Sequence, residues 1–235
     1  MQWDQIVEKV APYVVKIETP NGHGTGFLYT YSGSGGLVGI ATAAHVVEHA
    51  DEWQEPIRIK NYKCEDSIFV KESERVIYTD SRNDSAVILF AKPDKFNFPE
   101  SLIPLLPIEK PISLGCEVGW LGFPGIEPHT MCFFTGSISS RRTARNDYLI
   151  DGVAINGVSG GPVVYSTEAD GVSIVGVMSA YHVNRIRGDA LPGLSIAQDV
   201  SHFHSIIKHM KSIDEARKKK EEDEKAKQKG DEKID

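Results

Sequence analysis

The sequence predicts an all-β fold with helices confined to its two ends, and three observations carry that expectation. Short β-rich runs recur through the body of the chain. Gly, Pro, Asn and Asp punctuate them. Helical periodicity surfaces only at Gln2–Ala11 and from about Gln198 onward, apart from a helical turn at His45–Glu48. The pattern is that of a barrel or sandwich rather than of βαβ units. With 235 residues, 40% of them hydrophobic, the chain can bury a substantial core, and β-barrel proteins of roughly 200–250 residues count as one domain.

Taken in order, the first set of strands is expected at Tyr13–Glu18, Gly26–Tyr31, Leu37–Thr42, Ile57–Ile59, Ser67–Val70, Arg75–Tyr78 and Ser85–Phe90. A second set is expected at Glu117–Gly122, Met131–Ser140, Asp147–Asp151, Gly161–Tyr165, Gly171–Ser179 and Leu194–Ala197. The body divides near Pro104–Pro111, where Leu102–Pro107 reads as a connector. The expected organisation is one domain over residues 1–210: N-terminal helix and first half over 1–105, second half over 106–200, and the start of a C-terminal helix over 201–210. Residues 211–235 form a separate tail, helical or disordered.

Composition narrows the function. A formal charge of −7 argues against a nucleic-acid-binding body, which is normally basic. No apolar run reaches the ~18 residues that a membrane span requires. Cys64, Cys116 and Cys132 lie far apart and are odd in number, so a disulfide framework is not expected. Met1-Gln-Trp-Asp4 runs into an acidic amphipathic segment without the basic and apolar regions of a leader. Both features predict a reducing, cytoplasmic location. Between Lys211 and Asp235, nine basic residues balance nine acidic ones, so the tail reads as a solvated charged arm on which a protein partner can dock.

The chemistry concentrates in three segments. Gly157-Val158-Ser159-Gly160-Gly161-Pro162 lies downstream of Ala43-Ala44-His45 and of Asp84-Ser85-Ala86-Val87. Nucleophilic acyl transfer needs a hydroxyl, a base to take its proton and a buried carboxylate to orient that base. Ser159, His45 and Asp84 fit those roles. The glycines allow a tight turn whose N–H groups face a substrate carbonyl, which makes the N–H groups of Gly157 and Ser159 oxyanion-hole candidates. One such donor is typically worth about 10²–10³ in rate. Asp80, Asp94 and Asp151 compete with Asp84, but only Asp84 is followed at once by an apolar strand. His202, His204 and His209 do not share a helix face in a way that suits a metal, so no metal or cofactor is expected. His49 reads as a surface residue, and His23 receives no role.

These segments resemble the trypsin-like, chymotrypsin-fold serine proteases: Ala41-Thr-Ala-Ala-His45 their histidine segment, Ser159-Gly-Gly-Pro162 their serine segment. Ile6–Ile17, Gly24-Thr-Gly-Phe-Leu28, Asp84-Ser-Ala-Val87, Val118–Pro124, Asp151–Asn156 and Gly193-Leu-Ser-Ile-Ala197 are similar to the HtrA/Deg branch. The resemblance covers about residues 5–210. It implies two perpendicular six-stranded β-barrels, with His45 and Asp84 from the first, Ser159 from the second, and the site in the cleft between them. It also implies a substrate strand at Met178-Ser179-Ala180-Tyr181, with Val153 at the base of the primary pocket and Tyr181 narrowing its entrance. Cleavage after small or medium aliphatic residues is then expected.

Two departures from the family pattern stand out. Val158 replaces the acidic or amide residue usually found before the serine, which removes the zymogen ion pair. The turn is also one residue shorter than the HtrA form. HtrA relatives often carry a PDZ domain and form trimers; a protease domain without a PDZ domain is the expectation here. The expected function is therefore a serine endopeptidase acting on protein or peptide substrates, a homo-oligomer being compatible with it. The alternative is a latent or inactive protease-fold module that binds peptides or a partner. An esterase is disfavoured because Pro162-Val-Val-Tyr165 reads as a strand, whereas a nucleophile elbow leads into a helix.

Overall fold

The structure, a computed structural model, describes residues 1–32, 36–62, 67–93, 96, 98–184 and 189–231. The chain opens with helix α1 (Trp3–Val10), whose apolar face buries Ile6 and Val10, and a 3₁₀ turn at Ala11–Tyr13. Seven strands follow: β1 (Val14–Thr19), β2 (Gly22–Tyr31), β3 (Leu37–Thr42), β4 (Ile57–Asn61), β5 (Ser67–Val70), β6 (Arg75–Asp80) and β7 (Ser85–Ala91). Helix α2 (Ala44–Glu52) lies between β3 and β4. The strands form one antiparallel sheet in the order β5-β4-β1-β2-β3-β7-β6.

Six more strands close into a barrel. These are β8 (Glu117–Gly122), β9 (Cys132–Arg142), β10 (Asp147–Asp151), β11 (Pro162–Thr167), β12 (Gly171–Asn184) and β13 (Asp189–Asp199), in the order β10-β13-β12-β11-β8-β9. Helix α3 (Ser201–Asp231) ends the described chain. The fold is thus all-β with helices toward the ends, and the thirteen strands among the described residues fall on the thirteen runs the sequence pattern picks out.

The first half differs from the expected six-stranded barrel: it has seven strands, and β5 and β6 are not paired with each other. A buried arginine links the end of β5 to the start of β6. Arg75, at the start of β6, donates from Nη1 to Val70 O at 2.9 Å and from Nη2 to Ala50 O at 2.9 Å. Its side chain thus satisfies a carbonyl at the end of β5 that a neighbouring strand would otherwise take. In the second half, β12 and β13 extend past the expected ends at Ser179 and Leu194. Pro192 and Gly193 hide this extension from the sequence pattern, because they read as a turn. They lie in a stretch where the pairing shifts register between Tyr181 and Val183.

One buried cluster runs through the first sheet and on to α1 and α3, with Phe27, Leu28, Ile40, Ile59, Ile88 and Phe203 among its members. A second fills the barrel around Trp120, Ile138, Ile150, Val163 and Met178. The connector is itself stitched to the barrel. Leu105 bridges Ile174 in parallel, Leu106 N–H donates to Ile174 O at 2.8 Å, and Ile174 N–H donates to Pro104 O at 2.9 Å. Helix α3 docks through buried Phe203, whose carbonyl accepts the Tyr29 hydroxyl at 3.0 Å, and through His204, which donates to Leu106 O at 2.8 Å. Among the described residues no helix is long and apolar enough to cross a membrane.

Candidate active site

His45 is the second residue of α2. That helix has no side-chain cap of its own at Ala43, and Asp84 supplies one from the turn between β6 and β7. The Asp84 carboxylate accepts the His45 backbone N–H at 3.0 Å and the His45 Nδ1–H at 2.9 Å. One carboxylate therefore holds both the helix N-terminus and the ring, where an anion is favoured by the helix dipole. Because Nδ1 carries the proton, His45 Nε2 is left as the basic nitrogen. The hydrogen bond to Asp84 raises the His45 pKa above its ordinary value, against the opposing effect of burial and with help from the charges of Asp84 and Glu48. For Asp84, burial pushes the pKa upward. The contacts from His45, the Ser179 hydroxyl and the His45 backbone outweigh it, and the carboxyl sits below its usual range.

Ser159 stands on two consecutive tight turns. Val158 N–H donates to Ile155 O at 3.0 Å, and Gly161 N–H donates to Val158 O at 2.9 Å. The third residue of each turn is a glycine with positive φ, Gly157 at 92° and Gly160 at 88°, as type II turns require. A Cβ on Gly160 would lie 1.9 Å from Thr25 O, so no side chain fits there. Val158, between the turns, is fully buried in the barrel core. An apolar anchor thus fixes the loop, and burial of such a side chain contributes about 1.5–3 kcal/mol.

The first half grips this loop through β2. Thr25 N–H donates to Ser159 O at 2.8 Å, while the Thr25 hydroxyl donates to Gly157 O at 2.8 Å and accepts Phe123 N–H at 3.0 Å. His23 donates from Nε2 to Phe123 O at 3.1 Å. Neither contact was expected from the sequence. Thr25 looks like an ordinary β-branched strand residue, and nothing local announces that its hydroxyl crosses to the other half. Among the described residues, the N–H groups of Gly157 and Ser159 have no acceptor.

Ser179 completes the arrangement. It is the extra residue of a β-bulge, since Met178 pairs with Ala197 and Ala180 with Ile196, and bulges re-aim the groups they carry. Its carbonyl accepts the Ser159 hydroxyl at 3.1 Å, and its own hydroxyl donates to Asp84 Oδ2. His45 and Ser159 line one cavity of about 220 Å³, together with His23, His49, Asn156 and Gly157. His49, expected at the surface, is thus also at the cleft, its Nδ1 3.2 Å from Glu55.

The proposed pocket residues fare differently. Val153 is half exposed and lies outside the lining of that cavity, so it does not form a buried pocket base. Met178 is fully buried in the barrel core, and its backbone clamps the serine turn, accepting Gly160 N–H and donating to Gly161 O. Its side chain therefore lines no substrate pocket. Ala180 and Tyr181 belong to β12, but the side-chain reading of Tyr181 lies outside the described residues, as do Asp94 and Cys64. Asp80 sits in the turn that carries Asp84, and Asp151 is exposed. Among the described residues no cluster of three or more His, Cys, Asp or Glu suits a metal ion. His202 and His204 instead contact Asp80 and Leu106 O.

The trypsin-like peptidase domain model matches residues 24–177. Among solved structures, the serine endoprotease from Yersinia pestis superposes with a TM-score of 0.63 at 20% identity, covering 90% of this chain and 67% of that one. The Rv3671c protease in its inactive form superposes with a TM-score of 0.60 at 19% identity, covering 87% and 92%. An inactive serine-to-alanine mutant of Rv3671c from M. tuberculosis gives 0.60 at 17%, covering 88% and 90%. No curated protein sequence matches the chain.

Proposed function

Since the chain belongs to the trypsin-like peptidase family, we propose that it is a serine endopeptidase that hydrolyses peptide bonds through an acyl-enzyme. One observation carries this reading. The Asp84 carboxylate holds the His45 ring by Nδ1, and His45 and Ser159 line one cavity. In the proposed mechanism, Ser159 Oγ turns from Ser179 O toward His45 Nε2 and gives up its proton as it attacks the peptide carbonyl. The N–H groups of Gly157 and Ser159 receive the oxyanion. His45 then protonates the departing amine, and water attacks the ester by the same route in reverse. Asp84 keeps the imidazole in one tautomer throughout.

Cleavage after Ala, Val or Thr is the preference proposed from the resemblance of the strand Met178–Tyr181 to the family's substrate strand, and not from Val153, which lies outside the cavity. Efficient cleavage after Arg in a peptide library would refute it. The free thiols of Cys116 and Cys132 fit the proposed cytoplasmic location. The function is tested by a fluorophosphonate probe: wild-type protein should label and Ser159→Ala should not. Equal labelling of both would remove Ser159 as nucleophile.

A second reading has its own observation. The Ser159 hydroxyl donates to Ser179 O, and the Rv3671c structures are of inactive forms. On this reading the resting protein is latent until a substrate or partner turns the hydroxyl toward His45. Labelling that accelerates when a peptide occupies the cleft supports latency; a rate independent of added peptide supports constitutive activity.

A further inference from the structure

The turn that delivers Asp84 is tied down by a carboxylate that the proposed chemistry never touches. Asp80, the last residue of β6, accepts the N–H groups of Arg82 at 3.1 Å and Asn83 at 3.2 Å through Oδ1. Its Oδ2 accepts Asn83 Nδ2 at 2.7 Å. The Ser85 hydroxyl donates to Asn83 O at 3.0 Å from the other side. Between these clamps Asp84 is held at φ 42°, in the left-handed region. A non-glycine residue persists there only where its surroundings over-determine it. The same turn reaches α2, because the Ser81 hydroxyl donates to Glu48 Oε1 at 3.2 Å, three residues beyond His45.

Asp80 also faces away from the site. Its Oδ2 lies 3.3 Å from Nδ1 of His202, the second residue of α3, whose Nε2 is buried without a partner among the described residues. Burial pushes the Asp80 carboxyl up, but the contacts from Asn83, His202 and Arg82 outweigh it and keep it ionised. One carboxylate thus touches the Asp84 turn on one side and the first turn of α3 on the other.

We propose that Asp80 is a positioning residue for the Asp84–His45 pair, and that through His202 it makes this pair sensitive to how the first turn of α3 is seated. The catalytic consequence rests on the serine-peptidase reading; the hold of Asp84 on His45 is a property of the folded chain with or without turnover. A load on α3 beyond its first turn reaches Asp84 by this route. The charges that face His45 are Asp84 from the turn and Glu48 from α2 itself, and the charge that faces His202 is Asp80.

The test is an NMR titration of the His45 ring in the full chain, alongside peptide-hydrolysis kinetics. In Asp80→Ala the His45 midpoint falls toward that of a free imidazole, and kcat falls roughly tenfold while KM stays within about twofold, as expected for a misplaced catalytic group. Asp80→Asn keeps the Oδ1 acceptor for Arg82 and Asn83 and restores most of both. His202→Leu moves the midpoint in the same direction by less. An unchanged His45 midpoint in folded Asp80→Ala overturns the proposal, as does a change confined to KM. If Asp80→Ala does not fold, unchanged midpoints in both Asp80→Asn and His202→Leu overturn it instead. Failure of Ser159 labelling with a shifted His45 midpoint sinks the functional reading and leaves this one standing.

Discussion

The two halves of the molecule present their site residues by different means. In the closed barrel, Ser159 is set by main chain: two glycine-dependent turns, a buried valine between them, and ladder-like bonds to Met178 and Thr25. In the open sheet, His45 and Asp84 are set by side chains, with one carboxylate capping a helix and a ring, and further hydroxyl and carboxylate contacts behind it. The closed half has little freedom to move Ser159 short of unfolding. In the open half, His45 and Asp84 depend on polar contacts that can change while the β-sheet core stays intact. Damage to the barrel side should therefore register as lost stability, and damage to the sheet side as lost rate.

The sharpest test is Asp84→Asn. Hydrolysis should fall by about 10⁴ in kcat because the imidazole is left in the wrong tautomer, while the urea midpoint of unfolding moves little. A large loss of stability in that variant would break the contrast between the halves. Next is Gly160→Ala. Positive φ costs about 1–3 kcal/mol in a non-glycine residue, and the added Cβ would meet Thr25 O at 1.9 Å, so the sum should exceed roughly 3 kcal/mol in denaturant unfolding. Wild-type stability in Gly160→Ala would mean that the serine loop is looser than its hydrogen bonds imply.

The smallest effect concerns pH. His45 must be neutral to act as base, and its pKa is raised by Asp84, so the acid limb of kcat/KM should lie above the ordinary imidazole value near 6.5. The sign for stability follows from the same shifts. The His45 contribution is complete below the unfolded imidazole pKa and is lost as pH rises through the higher folded one. The Asp84 contribution is present above the unfolded carboxyl pKa and is lost as pH falls through the lower folded one. In Asp84→Asn the acid limb should move downward; a limb that stays in place would assign it to a different group.

Much of this was legible in the chain itself. Strands announced themselves because alternating or continuous apolar runs end at Gly, Pro, Asn and Asp, and a half-buried sheet demands that pattern. His45, Asp84 and Ser159 stood out because each sits beside residues with a local physical reason, such as the glycines around the serine or the apolar strand after the aspartate. The rest depended on contacts distant in sequence. Nothing around Arg75 says that its guanidinium will bond to Val70 O and Ala50 O, and nothing around Thr25 says that it will brace Gly157, 132 residues away. Met178 and Val153 were placed by their position in a family pattern. Which way a side chain points depends on local register, and the bulge at Ser179 lies immediately after Met178.

The stitched connector has one more implication. Pro104 and Leu106 bracket Ile174, and Ile174 lies on the same strand as Ser179, five residues earlier. A polypeptide strap fastened there cannot serve as a free hinge: a force transmitted along the connector pulls on the strand whose carbonyl and hydroxyl meet Ser159 and Asp84. Nicking or lengthening the chain at residues 107–111, outside the strap, should leave that strand undisturbed, whereas the same insertion at residue 105 should loosen its hold on the connector.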